Sequence, residues 1–188
     1  MRLLPAVLLL FPLLGGVVGC ATLRPEGEVV AVAAPVPRET GKVEVGQPYF
    51  DFAGPLLLGG EFALSTVVGR RVVVLQFWGI RCGPCLQEFP LLERLYAAYR
   101  ERGLLVVGVN TDGLEAAKLS RAMADRGVNP SYPVVLDREF AAAAHYTRWL
   151  VPVSVVIDRQ GVVRVIHTGY KPELDAVIEA ELVEILEE

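Results

Sequence analysis

Cysteine and histidine are both scarce in this chain of 188 residues, which contains three of the first and two of the second. Three cysteines cannot supply the dense disulfides that staple small secreted domains, and a chain of this length can bury a core without them. A structural zinc site needs four ligands. His145 and His167 are well separated, so we expect both to be surface or half-buried polar residues, and we expect neither a metal nor another cofactor.

An excess of positive charge is also lacking. Lysine and arginine total 18 against 22 aspartate and glutamate residues, which gives a net charge of −4. Binding to nucleic acid depends on neutralising phosphates with lysine and arginine. The composition therefore argues against a nucleic-acid partner.

Two of the three cysteines, Cys82 and Cys85, lie on either side of Gly83 and Pro84. A β-branched run, Val72–Leu75, precedes them and an amphipathic segment follows, which predicts a strand, a tight turn and a helix. A helix N-terminus offers partial positive charge and free N–H donors, which favour a thiolate. The pair is therefore predicted to exchange electrons as a dithiol and a disulfide.

The order of the two cysteines predicts their roles. Cys82 at the helix N-terminus is the predicted nucleophile, and Cys85, one turn further and more buried, is the predicted resolving residue. Gly83 allows a tight turn, while Pro84 falls in the first helical turn, where its missing N–H costs little. The alternative of an inert disulfide is disfavoured because the closed loop is very short.

The third cysteine, Cys20, follows a different pattern. Arg2 precedes an apolar run without charged residues, Leu3–Leu14, and the small residues that follow it end at Gly19. This pattern resembles a bacterial lipoprotein signal, which is cleaved before a cysteine that then carries the lipid. The alternative is an uncleaved membrane anchor, although two prolines interrupt the run. Either interpretation places the remainder of the chain outside the cytoplasm.

The chain therefore divides into three predicted parts. Residues 1–19 form the lipoprotein signal peptide, and residues 20–44 form a lipidated flexible linker with several prolines and no hydrophobic period. Residues 45–188 form one domain in which strands and helices alternate before a final hairpin and helix, which predicts an α/β fold.

Hydrophobic patterns locate the elements of this domain. A short hairpin is predicted around Gly59–Gly60, and Pro90 is predicted to kink the helix that follows the cysteines. That helix is predicted to end near Arg100. The remaining predicted strands are Leu104–Val109, Val134–Leu136, Val153–Ile157 and Val162–His167. The remaining predicted helices are Leu114–Arg126, Phe140–Tyr146 and Leu174–Leu186.

Several motifs together resemble a known family. Phe77–Cys85 followed by Pro90 resembles the active site of the thioredoxin fold, and Val151–Val153 before a strand is similar to its cis-proline loop. The start at Val45, the insertion Thr111–Leu136 and the membrane tether resemble the TlpA/ResA group of extracytoplasmic thiol-disulfide oxidoreductases. The resemblance implies a mixed central sheet flanked by helices, with an N-terminal hairpin extension and a central insertion.

The resemblance also gives expectations for residues around the pair. Gln76 stands where thioredoxins carry a buried acid, so no carboxylate is present there to act as base for Cys85. Glu88 could partly substitute in proton transfer, but we expect it to be a solvated helix charge. Arg81 replaces the usual tryptophan, and we expect it either to lower the pKa of Cys82 or to be exposed with a small effect.

Two further residues are expected to shape the site. Trp78 is predicted to be an aromatic of the core or of the site wall, and Pro152 is either the cis-proline or an ordinary proline at a strand entry. A cis bond would leave the backbone of Val151 open to pair with a substrate strand next to Cys82.

The implied function is reduction, or alternatively isomerisation, of disulfides in extracytoplasmic proteins at the periplasmic side of a bacterial membrane. An oxidising compartment would return the pair to the disulfide, so a reducing role implies a membrane electron donor of the DsbD or CcdA type. Cytochrome c maturation is one destination for the electrons. The alternatives are a Cu(I) metallochaperone and a peroxidase of the same fold, whose threonine-led cysteine motif is absent.

Overall fold

A computed structural model describes residues 42–188 of the chain. Cys20, the predicted signal and most of the predicted linker lie outside these residues. The strands are β1 (Ala53–Pro55), β2 (Glu61–Ala63), β3 (Val72–Trp78), β4 (Leu104–Asn110), β5 (Val134–Leu136), β6 (Val153–Ile157) and β7 (Val163–Thr168). The α-helices are α1 (Gly83–Tyr99), α2 (Ala116–Ala124), α3 (Ala143–Tyr146) and α4 (Asp175–Glu187). Within the described range, no helix has the length and apolar character needed to span a membrane.

The main sheet has five strands in the order β5-β4-β3-β6-β7. Strands β3, β4 and β5 are parallel, whereas β6 runs antiparallel to β3 and β7 antiparallel to β6. Every residue of β3 and β4 is buried, as expected for strands covered on both faces. This arrangement confirms the predicted thioredoxin fold with a mixed central sheet.

The core has two layers, one on each face of the sheet. Because successive side chains of a strand point to opposite faces, β3 contributes alternately to both layers. Val72, Val74 and Trp78 pack with α1, α2 and α4, whereas Val73 and Phe77 pack with α3 and the hairpin formed by β1 and β2. The same alternation directs Gln76 to the face covered by α1.

Some helix bounds differ from the prediction. The helix α2 is two residues shorter at each end, and a 3₁₀ turn precedes α4. The helix α3 begins at Ala143 rather than at Phe140, which adopts a left-handed φ of 58°. The carboxylate of Asp137 accepts hydrogen bonds from the N–H groups of Ala142 and Ala143, and it thereby sets the later start.

The first described residues lie along the sheet edge. The N–H of Val43 donates to the carbonyl of His145 at 3.0 Å, and Gly46 and Gln47 exchange backbone hydrogen bonds with Val163 of β7. Val43 is buried in the core. This segment covers part of an edge strand that would otherwise present unpaired backbone groups.

We predict that Leu92→Ala lowers the free energy of unfolding by about 2–5 kcal/mol, because it leaves a cavity in the layer beneath α1. Leu92 is almost fully buried in that layer. Leu58→Ala is the matched control, because Leu58 is 95% exposed and its truncation is expected to change stability by less than about 0.5 kcal/mol. Urea unfolding of the oxidised variants measures both values, and equal losses would contradict the packing described here.

Candidate active site

The cysteine pair lies where β3 passes into α1. Cys82 is the N-cap of α1, and its sulfur accepts a hydrogen bond from the N–H of Cys85 at 3.2 Å. Pro84 occupies the first turn of the helix, as predicted. Cys82 and Cys85 are joined by a disulfide with their Cα atoms 5.2 Å apart. The sulfur that we expect to carry the thiolate therefore sits at the positive end of the helix dipole.

The two sulfurs differ in exposure. Cys85 is fully buried against the core, whereas Cys82 is half-buried at its edge. This is the order of burial predicted from their positions in the helix. An incoming molecule can reach Cys82 more readily than Cys85.

The turn before Cys82 is fixed by a neighbouring loop. The carboxylate of Asp112 accepts hydrogen bonds from the N–H of Ile80 and from the side chain of Asn110, both at 2.7 Å. A Cβ atom at Gly79 would lie 3.1 Å from the same carboxylate, so glycine permits this close approach. Asp112 and Asn110 were not predicted as site residues, although polar residues at the end of a buried strand beside β3 indicate such a position.

Arg81 and Trp78 differ sharply in their surroundings. Arg81 is exposed and forms no ion pair within residues 42–188. Trp78 is fully buried and packs edge to face against Phe89, with ring centroids 4.9 Å apart. Trp78 is therefore an aromatic residue of the core, which is one of the two positions predicted for it.

The peptide bond between Val151 and Pro152 is cis, which confirms the predicted cis-proline. Since Phe77 is the register partner of Val153, this loop lies beside the end of β3 that leads to Cys82. The backbone N–H and C=O groups of Val151 form no hydrogen bond with the described part of the chain. A backbone segment of another molecule can pair there.

Glu88 is the main correction to the sequence analysis. It is only 2% exposed, so the expectation of a solvated helix charge is wrong. Its carboxylate accepts hydrogen bonds from Gln76 Nε2 at 2.9 Å and from Ser154 Oγ at 2.6 Å. It lies three residues after Cys85 and therefore on the same face of α1. Sequence reasoning also missed Ser154, which is the register partner of Gln76 on β6.

Burial raises the pKa of Glu88, because the loss of hydration outweighs the two hydrogen bonds and the attraction of His167. The amide oxygen of Gln76 is buried and has no partner within the described residues. Rotating this amide would offer its oxygen to a protonated Glu88 instead of its NH₂ to a carboxylate. The site can therefore satisfy Glu88 with or without its proton, as a proton-transfer group requires.

The two histidines are half-buried, as predicted. His167 pairs with Glu181 at 2.7 Å, and His145 stacks on Phe50 with ring centroids 3.5 Å apart. Residues 42–188 contain no group of three or more histidine, cysteine or acidic side chains placed to hold a metal ion.

A disulfide at the start of the first long helix, beside a cis-proline in a five-stranded mixed sheet, defines a thioredoxin-like protein. Comparison with known proteins refines this class. The AhpC/TSA family model matches residues 45–166, and the chain belongs to this family of thioredoxin-like proteins.

The relatives give the type of enzyme. The chain is 34% identical to the thioredoxin-like protein YneN of Bacillus subtilis (70% of this chain, 75% of YneN) and to the thiol-disulfide oxidoreductase ResA of Geobacillus kaustophilus (70% and 73%). A crystal structure of the thiol:disulfide interchange protein DsbE from Chlorobium tepidum superposes with a TM-score of 0.70 at 32% identity, covering 77% of this chain and 99% of that one. The protein is a disulfide oxidoreductase of the ResA type.

We predict that Glu88→Gln changes how the stability of the oxidised protein depends on pH. The folded protein holds the Glu88 proton more tightly than the unfolded chain does, because its pKa is raised. Because of Glu88, the native state therefore loses stability as the pH rises from the ordinary pKa of 4.5 through the raised pKa. The variant lacks this loss, so its stability relative to the unmodified protein should increase with pH.

Urea unfolding at a series of pH values measures this difference. Glu93→Gln is the control, because Glu93 lies on the same helix but is only half-buried, and it bonds to the exposed Ser131. A difference between Glu88→Gln and the unmodified protein that stays constant across pH would contradict the raised pKa.

Proposed function

We propose that the protein reduces disulfides of exported proteins on the extracytoplasmic face of a bacterial membrane, with Cys82 as nucleophile and Cys85 as resolving residue. The observation that supports the proposal is the difference in burial between Cys82 and the two residues Cys85 and Glu88. A half-buried Cys82 at the helix N-terminus lies before a buried Cys85, and a buried Glu88 follows on the same helix face. Gly83, Pro84, Trp78 and Pro152 shape this arrangement.

The first step forms a mixed disulfide. The Cys82 thiolate attacks one sulfur of the substrate disulfide, a new S–S bond joins the two proteins, and the other substrate sulfur leaves as a thiolate that takes a proton from water. Since Val151 offers unpaired backbone groups beside Cys82, an extended substrate segment can be aligned there.

The second step releases the substrate. The Cys85 thiol gives its proton to the Glu88 carboxylate, and the resulting thiolate attacks the sulfur of Cys82. The mixed disulfide breaks, the second substrate thiolate leaves, and the Cys82–Cys85 disulfide forms again. Two electrons have then passed from the dithiol to the substrate, and Glu88 later returns its proton to water or to a thiolate.

Several groups favour the Cys82 thiolate in the reduced protein. Thioredoxin lowers the pKa of its attacking cysteine from about 8.5 to about 7, which corresponds to about 2 kcal/mol. A helix dipole supplies about 0.3–1 kcal/mol of this. The N–H of Cys85, which already donates to this sulfur, and the exposed guanidinium of Arg81 are the nearby sources of the remainder.

The N-terminal sequence supports the proposed compartment. A lipid on Cys20 would hold the domain at the membrane through the linker of residues 20–44. A reducing role outside the cytoplasm needs electrons from within, so the proposed donor is a membrane protein of the DsbD or CcdA type. Cytochrome c maturation is one proposed use of the reduced protein.

We predict that Cys85→Ser accumulates a mixed disulfide with insulin, because Cys82 can attack and nothing resolves the product. Cys82→Ser should form none and should lower dithiothreitol-driven insulin reduction to the uncatalysed rate. Non-reducing gel electrophoresis and insulin turbidity measure these outcomes. Activity that survives in Cys82→Ser, or tight Cu(I) binding without any cysteine-dependent reduction, would contradict the proposal. A reduction potential near thioredoxin's value of about −270 mV supports reduction, whereas one near about −120 mV indicates oxidation.

We predict that Cys20→Ser abolishes incorporation of labelled fatty acid in a bacterial host and releases the protein from the membrane fraction. The reason is that the proposed lipid joins the Cys20 sulfur. Cys82→Ser is the matched control, since it removes a different thiol and should keep the label. Absence of label from the unmodified protein, together with membrane retention of Cys20→Ser, would indicate an uncleaved anchor instead.

A further inference from the structure

An exposed apolar cluster precedes the cis-proline. Trp149 is 67% exposed, Leu150 is 55% exposed, and Val151 follows them directly. The ring of Phe140 packs edge-on against Trp149 with centroids 5.9 Å apart, and it is partly exposed itself. The large hydrophobic side chains exposed within residues 42–188 are Val45, Leu58, Phe140, Trp149, Leu150, Val151 and Val177. Single exposed hydrophobic residues are ordinary, whereas a cluster beside an active site marks an interaction surface.

The exposed Trp149 has a backbone conformation that residues other than glycine rarely adopt. Arg148 and Trp149 have φ angles of 48° and 68°, in the left-handed region that non-glycine residues rarely adopt. Thr147 secures this turn, because its Oγ accepts from the N–H of Trp149 and its carbonyl accepts from the N–H of Leu150, both at 3.0 Å. Thr147 is itself buried and donates to the carbonyl of Ala143. Strain that the fold maintains in this way is typical of functional positions.

A cleft continues the cluster along the sheet. It has a volume of about 470 Å³, and Leu150 and Val45 both form part of its lining. Val153 and Ile166 supply further apolar lining from β6 and β7. The cleft can therefore receive an apolar side chain from a segment that passes over Leu150.

We propose that Trp149 and Leu150, supported by Phe140, select substrates with an aromatic or long aliphatic side chain close to the cysteine that Cys82 attacks. The inference rests on the proposed function. A substrate segment that pairs with the backbone of Val151 must pass the two preceding residues of this chain. Its side chains alternate in direction, so one of them faces Trp149 and Leu150.

Paired peptides test this selection. Two disulfide-linked peptides are identical except for Phe or Ser two residues from the reactive cysteine, and each rate of reduction by the reduced full-length protein in detergent is divided by the rate with dithiothreitol. This division removes differences in intrinsic disulfide reactivity. We expect the Phe peptide to react about tenfold faster than the Ser peptide. Trp149→Ala should reduce this ratio to below about twofold, and Trp149→Phe should restore most of it.

Leu58→Ala is the matched control, since Leu58 is highly exposed on the hairpin between β1 and β2 and should leave the ratio unchanged. An unchanged ratio in Trp149→Ala, or no preference in the unmodified protein, overturns the proposal. A dimer that Trp149→Ala dissociates also overturns it, because the cluster would then serve a second copy. Failure to reduce either peptide would instead contradict the proposed function itself.

Discussion

The pairing of β3 with strands on both of its sides determines where every part of the active site lies. Its register with β6 brings the cis-proline loop beside the end of β3, and its register with β4 brings the loop of Asp112 to the turn before Cys82. Backbone hydrogen bonds on both edges and complete burial on both faces leave this strand no freedom to shift, since a slip by one residue would exchange its two faces. The position of the disulfide, and of the N-cap residue Cys82 within it, is therefore fixed as well.

The register of β3 with β6 also determines the surroundings of the buried acid Glu88. The strand position that holds a buried acid in thioredoxins is occupied by Gln76, and the carboxylate enters from α1 as Glu88. The amide and the hydroxyl of Ser154 lie side by side on β3 and β6, and together they supply the two donors that a buried carboxylate needs. A carboxyl group is thus retained at the site, while the residue that carries it has moved from the sheet to the helix.

A feature could be predicted from the sequence when the residues that determine it lie close to it along the chain. The strand, the turn, the N-cap and the helix around Cys82 are set by neighbours within one or two turns, and their patterns predicted them well. The burial of Glu88 depends on residues 12 and 66 positions away, so its helical period alone indicated a solvated face. The late start of α3 depends on the Asp137 side chain and on the left-handed Phe140, which a hydrophobic pattern does not reveal. The loop of Asp112 was missed for the same reason, because its partner Ile80 lies 32 positions away, in the turn after β3.

The first described residues form part of the cleft beside the cis-proline loop. Val43 bonds to His145, and Val43 and Val45 line the same cleft as Leu150. The first described residues therefore reach this cleft from one side of the sequence, and Leu150 reaches it from the loop before the cis-proline. The shape of the cleft thus depends on backbone hydrogen bonds between segments that are far apart in the sequence, and a change that loosened the first described residues would alter the surface next to the cis-proline.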